Sequence, residues 1–243
     1  MFIAGQRCSP TNLGPDAPLD ETTNGWTVND LIPVPSPGVP VYVGEQGNPL
    51  VILVHDYFGR LPGLFDIADL LAREGFFVAV PDLFNGLATR SAARAESLMN
   101  DLDVGIALAE LDDIISDARA SGSEKIGVVG FSMGGWLSLL HAQGGAADAV
   151  VAYYSSLGPA DHGVLPAPVL LHYAEIDEWG DGDDPASFIE RLQEHGTPVI
   201  DHVYLGTEHS FVNSELEATY NPRAAELANQ RTVRFLLNHL YVR

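Results

Sequence analysis

The chain has 243 residues, 46% of them hydrophobic, which suits the core of one large α/β domain. Its formal net charge is −21, with Lys125 the single lysine beside eleven arginines; without a basic patch, neither nucleic acid nor an anionic membrane is an expected partner. No apolar run nears the roughly 20 residues that span a bilayer, and the start MFIAGQRCSP lacks the basic and apolar segments of a signal peptide, so a cytoplasmic protein is expected.

Cys8 is the only cysteine, which excludes an internal disulfide and a cysteine-based zinc site. The acidic excess fits a solvated surface and equally a high-salt milieu, and its field disfavours anionic substrates. Residues 1–48 read as a proline-rich arm with an edge strand, part of the same domain as the core at 49–243. Seven prolines in the first 40 residues leave room for no helix or central strand there; Val39 to Gly44 is the edge-strand candidate.

From residue 49 the run PLVILVHD has the unbroken apolarity of a strand buried on both faces. Further strands are expected at Phe76–Asp82, Lys125–Gly130, Asp148–Tyr154, Ala167–Tyr173 and Pro198–Leu205. Between them, Leu64, Ile67 and Leu71, and then Val104, Leu108, Leu111 and Ile115, repeat at helical spacing. Trp136–His141, residues 185–195 and Arg223–Leu240 are the remaining helical candidates. Strands alternating with helices predict a mostly parallel central sheet covered on both faces, in an α/β fold.

The segment GFSMGG (Gly130–Gly135) sits where a buried strand ends and a helix begins. Gly-x-Ser-x-Gly at such a junction suits a sharp turn that pushes the Ser132 hydroxyl into the cleft beyond the sheet, with the Met133 N–H placed to stabilise an oxyanion. A neutral hydroxyl needs a base, and the base needs a group to orient it. In this strand order the acid and then the histidine follow in loops after later strands. Asp177 and His209 fit, each expected three to five residues past a strand end. His172 and His202 fall inside predicted strands and read as core histidines. The acidic run EIDEWGDGDD is no EF-hand, since Trp179 and Phe188 occupy ligand positions counted from Asp177, and the histidines form no H-E-x-x-H pattern. No metal or cofactor is expected.

With these residues in view, the chain resembles the dienelactone hydrolase family of α/β-hydrolases. The likeness runs from about Pro49 to the C-terminus through HDYFG (His55–Gly59), VPDLF (Val80–Phe84), GVVGFSMGG (Gly127–Gly135), AYYSSLG (Ala152–Gly158), EID (Glu175–Asp177), EHSF (Glu208–Phe211) and AAELANQRTVRFL (Ala224–Leu236). It implies an α/β-hydrolase fold, a triad at Ser132, Asp177 and His209, and oxyanion donors at the Met133 and Tyr57 N–H groups. Three departures stand out: a serine replaces the family's cysteine nucleophile, Asp56 replaces a glutamate, and Gly86 and Asn213 occupy the places of two carboxylate-binding arginines.

The expected activity is hydrolysis of a neutral or apolar ester or lactone, because the guanidinium forks for a carboxylate are missing. Asp56 is a candidate auxiliary group. Phe84, Tyr154, Trp179 and Phe211, with Tyr57, are candidate pocket walls, and Arg60 is expected to be a solvated surface residue. The alternative is a small-molecule receptor that keeps the scaffold without catalysis. Monomer and homodimer both fit the sequence.

Overall fold

The computed structural model describes residues 30–178 and 184–241; Cys8, most of the arm and Trp179 lie outside them. Among the described residues of the proline-rich start are β1 (Ile32–Pro33) and β2 (Val41–Val43). Then come β3 (Leu50–Val54), α1 (Gly63–Arg73), β4 (Phe77–Val80), β5 (Leu87–Ala88), α2 (Ala92–Asn100), α3 (Val104–Ala120), β6 (Ile126–Phe131) and α4 (Met133–Ala142). The chain continues through β7 (Ala149–Tyr153), β8 (Val169–Ile176), α5 (Pro185–Glu194), β9 (Val199–Glu208) and α6 (Pro222–Leu240).

The main sheet has the order β2-β4-β3-β6-β7-β8-β9. Every pairing in it is parallel except β2 with β4. Strands β3, β4, β6 and β7 are buried along their whole length, as their continuous apolar runs require. One apolar layer joins the sheet to α3, α4 and α5 through residues such as Leu111, Leu137 and Phe188. The other joins it to α1 and α6 through Leu71, Phe235 and Leu236. Strand order reverses beside β3, so the carboxyl ends of β3 and β6 flank a topological switch point, where a crevice forms. This mixed sheet between two helical layers has the α/β-hydrolase architecture. Among the described residues, no helix is long and apolar enough to cross a membrane.

Three features depart from the sequence reading. Helix α2 is not expected from the sequence: Ala95 is its one fully buried residue, and with Leu98 and Met99 partly buried beside it the apolar face is short. Strands β8 and β9 run further than their apolar segments: past a register shift between Ala174 and Ile176, Ile176 still pairs with Glu208. Asp177 and His209 therefore follow their strands directly instead of standing three to five residues beyond.

Arg60 is the third correction, because it is 1% exposed rather than solvated. Its Nη1 donates to the carbonyls of Val39 (2.8 Å) and Val80 (3.1 Å), and its Nη2 donates to those of Pro35 and Ser36. The Asp82 carboxylate stands 3.9 Å away and accepts from the Gly38 and Gly86 N–H groups. A buried cation is tolerated only with such a set of acceptors. Arg60 thereby fastens residues 35–39 to the sheet. Replacing Arg60 with Ala strands four carbonyls and the Asp82 charge, so urea denaturation should show a loss of about 3–5 kcal/mol.

Candidate active site

The turn after β6 explains its glycines. Ser132 has φ 50° and ψ −115°, a conformation that L-residues rarely adopt. A β carbon at Gly130 would run into the Gly134 carbonyl, and one at Gly134 would run into the carbonyls of Val54 and His55. Glycine at both positions lets α4 start against the ends of β6 and β3. Met133 is the first residue of α4, so its N–H has no partner within the helix and belongs to the helix's positive end.

The structure brings three of the expected side chains together. Ser132 Oγ lies 2.8 Å from His209 Nε2. His209 Nδ1 lies 2.8 and 2.9 Å from the two Asp177 carboxylate oxygens. A proton on Nδ1 donated to the carboxylate would turn the Nε2 lone pair toward the hydroxyl. The side chains of His209 and Asp177 are 12% and 24% exposed, and His209 lines a cleft. The cleft measures about 650 Å³, and Tyr57, Phe58, Arg90, Glu178 and His209 are among its walls.

The competing histidines are committed elsewhere. His172 is fully buried, bonded to the Tyr204 hydroxyl at 2.8 Å and the Thr232 hydroxyl at 2.9 Å, and burial holds it well below the usual imidazole range. His202 is half-buried beside it, with ring centroids 6.0 Å apart. His55 donates from Nδ1 to the Asp56 carbonyl and accepts the Leu83 N–H at Nε2, and burial lowers it to about 4.

The expected pocket walls divide. Tyr57 lines the cleft, whereas Tyr154, with φ 41°, lays its ring 4.9 Å from that of His209 and lines a separate small cavity. Phe84 and Phe211 are core residues, packed on His55 and between Tyr154 and Tyr204 respectively. Neither is among the residues that line the cleft, and apolar identity alone does not reveal this. Sequence reasoning missed Arg90 and Glu215. Arg90 is paired with Glu215, whose other oxygen accepts the Gly63 N–H at 3.0 Å, closing one side of the cleft. Neither residue sits in a periodic or motif-bearing stretch, so nothing local announced them. Among the described residues, no group of three or more His, Cys, Asp or Glu side chains gathers to hold a metal ion.

Asp56 follows β3 and points inward. Its carboxylate accepts the Phe58 N–H at 2.9 Å and the Asn213 Nδ2 at 2.8 Å. Asn213 stands where the resemblance places a carboxylate-binding arginine, and its amide is taken up by this acid.

Comparison with known proteins agrees with the fold and the motifs. The dienelactone hydrolase family model matches residues 39–240. Protein usf from Aquifex pyrophilus is 30% identical over 209 residues, covering 81% of this chain and 90% of that protein. A carboxymethylenebutenolidase from Rhodococcus opacus is 28% identical over 210 residues, covering 79% and 82%. Among solved structures, a dienelactone hydrolase-like promiscuous phosphotriesterase from metagenomic libraries shares the fold with a TM-score of 0.71 at 17% identity, covering 80% of this chain and 88% of that one. The architecture is that of an α/β-hydrolase. Within that class the chain belongs to the dienelactone hydrolase family, and it is an ester or lactone hydrolase.

Burial pushes the Asp56 carboxyl up to about 6, against the opposing pull of the Asn213 amide, the Phe58 N–H and His209. A folded value above the ordinary 3.8 means that this group's contribution to stability is complete below about pH 4 and is lost as pH rises through 6. Urea denaturation of the wild type and of Asp56→Asn should therefore diverge with pH. Between pH 4 and pH 8 the difference should move by about 2–3 kcal/mol in the variant's favour, whatever constant offset the altered hydrogen bonds add. A difference that stays flat with pH would show that Asp56 titrates like an ordinary surface acid.

Proposed function

We propose that the chain cleaves a neutral or apolar carboxylic ester or lactone through an acyl-enzyme on Ser132. The observation that carries this reading is the continuous line of contacts from Ser132 Oγ through His209 to Asp177. Ser132 Oγ attacks the carbonyl carbon while His209 Nε2 takes its proton, and Asp177 steadies the imidazolium that forms. The N–H groups of Met133 and Tyr57, at the ends of β6 and β3, stabilise the oxyanion. His209 then protonates the leaving oxygen. Water resolves the acyl group with the same histidine as base.

Two observations support the substrate's polarity. Asn213 stands in place of one expected arginine and is bonded to Asp56, and Gly86 stands in place of the other. In the cleft, Arg90 is engaged by Glu215, while Glu178, Glu208 and Glu217 line the same space. An anionic acyl group would meet carboxylates there without a free guanidinium to hold it.

Replacing Ser132 with Ala should cut kcat on p-nitrophenyl esters by roughly 10³-fold or more while circular dichroism stays native. A fluorophosphonate should label Ser132 in the wild type; ligand binding without labelling or turnover would instead identify a receptor. Given esters matched in length, with and without a terminal carboxylate, kcat/KM should favour the neutral member at least about tenfold. Equal rates would remove the polarity assignment.

A further inference from the structure

Behind the Asp56–Tyr57 turn lies a second, smaller cavity of about 30 Å³. Asp56, Tyr154 and Asn213 form its polar wall, and Leu61, Leu64 and Ile67 are among its apolar walls. Among the described residues it shares no lining side chain with the cleft. It adjoins the reacting groups all the same, because the Tyr154 ring lies against that of His209.

The Tyr154 hydroxyl is buried and makes no well-formed hydrogen bond among the described residues, the Val212 backbone offering it a weak one at most. A buried hydroxyl left in that state is unfavourable, and such groups are commonly satisfied by internal water. The Asp56 carboxylate accepts two bonds, from Phe58 and Asn213, which leaves further lone-pair positions on its oxygens. Room for one water needs about 10–15 Å³, with two to four polar partners. The cavity meets both requirements. Apolar residues alone would have left it dry; the carboxylate and the phenol on one side suit it to hold water.

We propose that this cavity is a water-binding site that feeds the second half-reaction from behind His209. The inference rests on the acyl-enzyme reading above. While the acyl group occupies the cleft, water held between Asp56 and Tyr154 would approach the ester carbon from the side on which the Tyr154 ring meets His209. Its oxygen bonds to the acyl carbon as one proton passes to His209 Nε2. The carbon–Oγ bond then breaks, His209 returns that proton to Ser132, and the product leaves as a carboxylic acid that ionises in solvent. Tyr154 and Asp56 act here as positioning residues for the water.

Filling the cavity tests this directly. Ile67 is half-buried on α1 and lines this cavity but not the cleft, so Ile67→Phe should leave the rate of p-nitrophenol release in the acylation phase within about twofold of wild type. The acyl-enzyme, trapped by acid quench and counted by intact mass, should live at least about tenfold longer. Tyr154→Phe removes a single oxygen and should prolong it as well, and it replaces Ile67→Phe if that variant does not fold. A high-resolution crystal structure should place a water on the Tyr154 hydroxyl in the wild type and none there in Tyr154→Phe. Acyl-enzyme lifetimes unchanged in both variants would overturn the water site while leaving the acyl-enzyme intact. If no acyl adduct forms on wild-type Ser132 at all, the underlying reaction scheme fails instead.

Discussion

A β carbon on Gly134 would collide with the carbonyls at the end of β3, and one on Gly130 would collide with Gly134 itself. That close approach of α4 to two neighbouring strand ends is the constraint on which the site depends. It forces Ser132 into a backbone conformation few residues tolerate, and the same crowding holds the start of α4 toward the crevice at the switch point. The hydroxyl, the Met133 N–H and the turn carrying Asp56 and Tyr57 are consequently placed by one packing decision. The helix N-terminus adds a positive potential beside the Ser132 hydroxyl.

His209 and Asp177 are positioned by a different device. The β8–β9 pair continues beyond the apolar portion of each strand, through an irregularity in register, until Ile176 lies opposite Glu208. The next residue on each strand is the acid or the histidine. Backbone hydrogen bonding, rather than loop conformation, thus brings the two side chains to the same height above the sheet. A group built on paired strands is held more firmly than one carried by a free loop.

This contrast explains how much was legible in the sequence. The buried strands announced themselves through unbroken apolar runs, and Ser132 through the glycines its turn requires. Chain order alone pointed to Asp177 and His209 as neighbours of Ser132, but not to the extent of β8 and β9, because their last residues are half-polar, mostly exposed and carry no apolar run. Phe84 and Phe211 were expected at the pocket because aromatic identity is the same in core and cleft; only packing separates them. Arg60 was misplaced for the opposite reason. Charge argues for solvent, and nothing local in HDYFGR foretells that carbonyls some twenty residues upstream will converge on the guanidinium.

Those acceptors are main-chain atoms. Arg60 therefore reads the path of residues 35–39 and is indifferent to most of their side chains, in contrast to a tether made through paired acids and bases. Homologous chains are free to drift in composition along that stretch while the anchorage persists, provided the backbone keeps its turn at Gly38, where φ is +64°. Divergence in this segment is thus a poor guide to divergence in architecture, and a comparison that scores identities alone will undervalue a joint that is made of geometry.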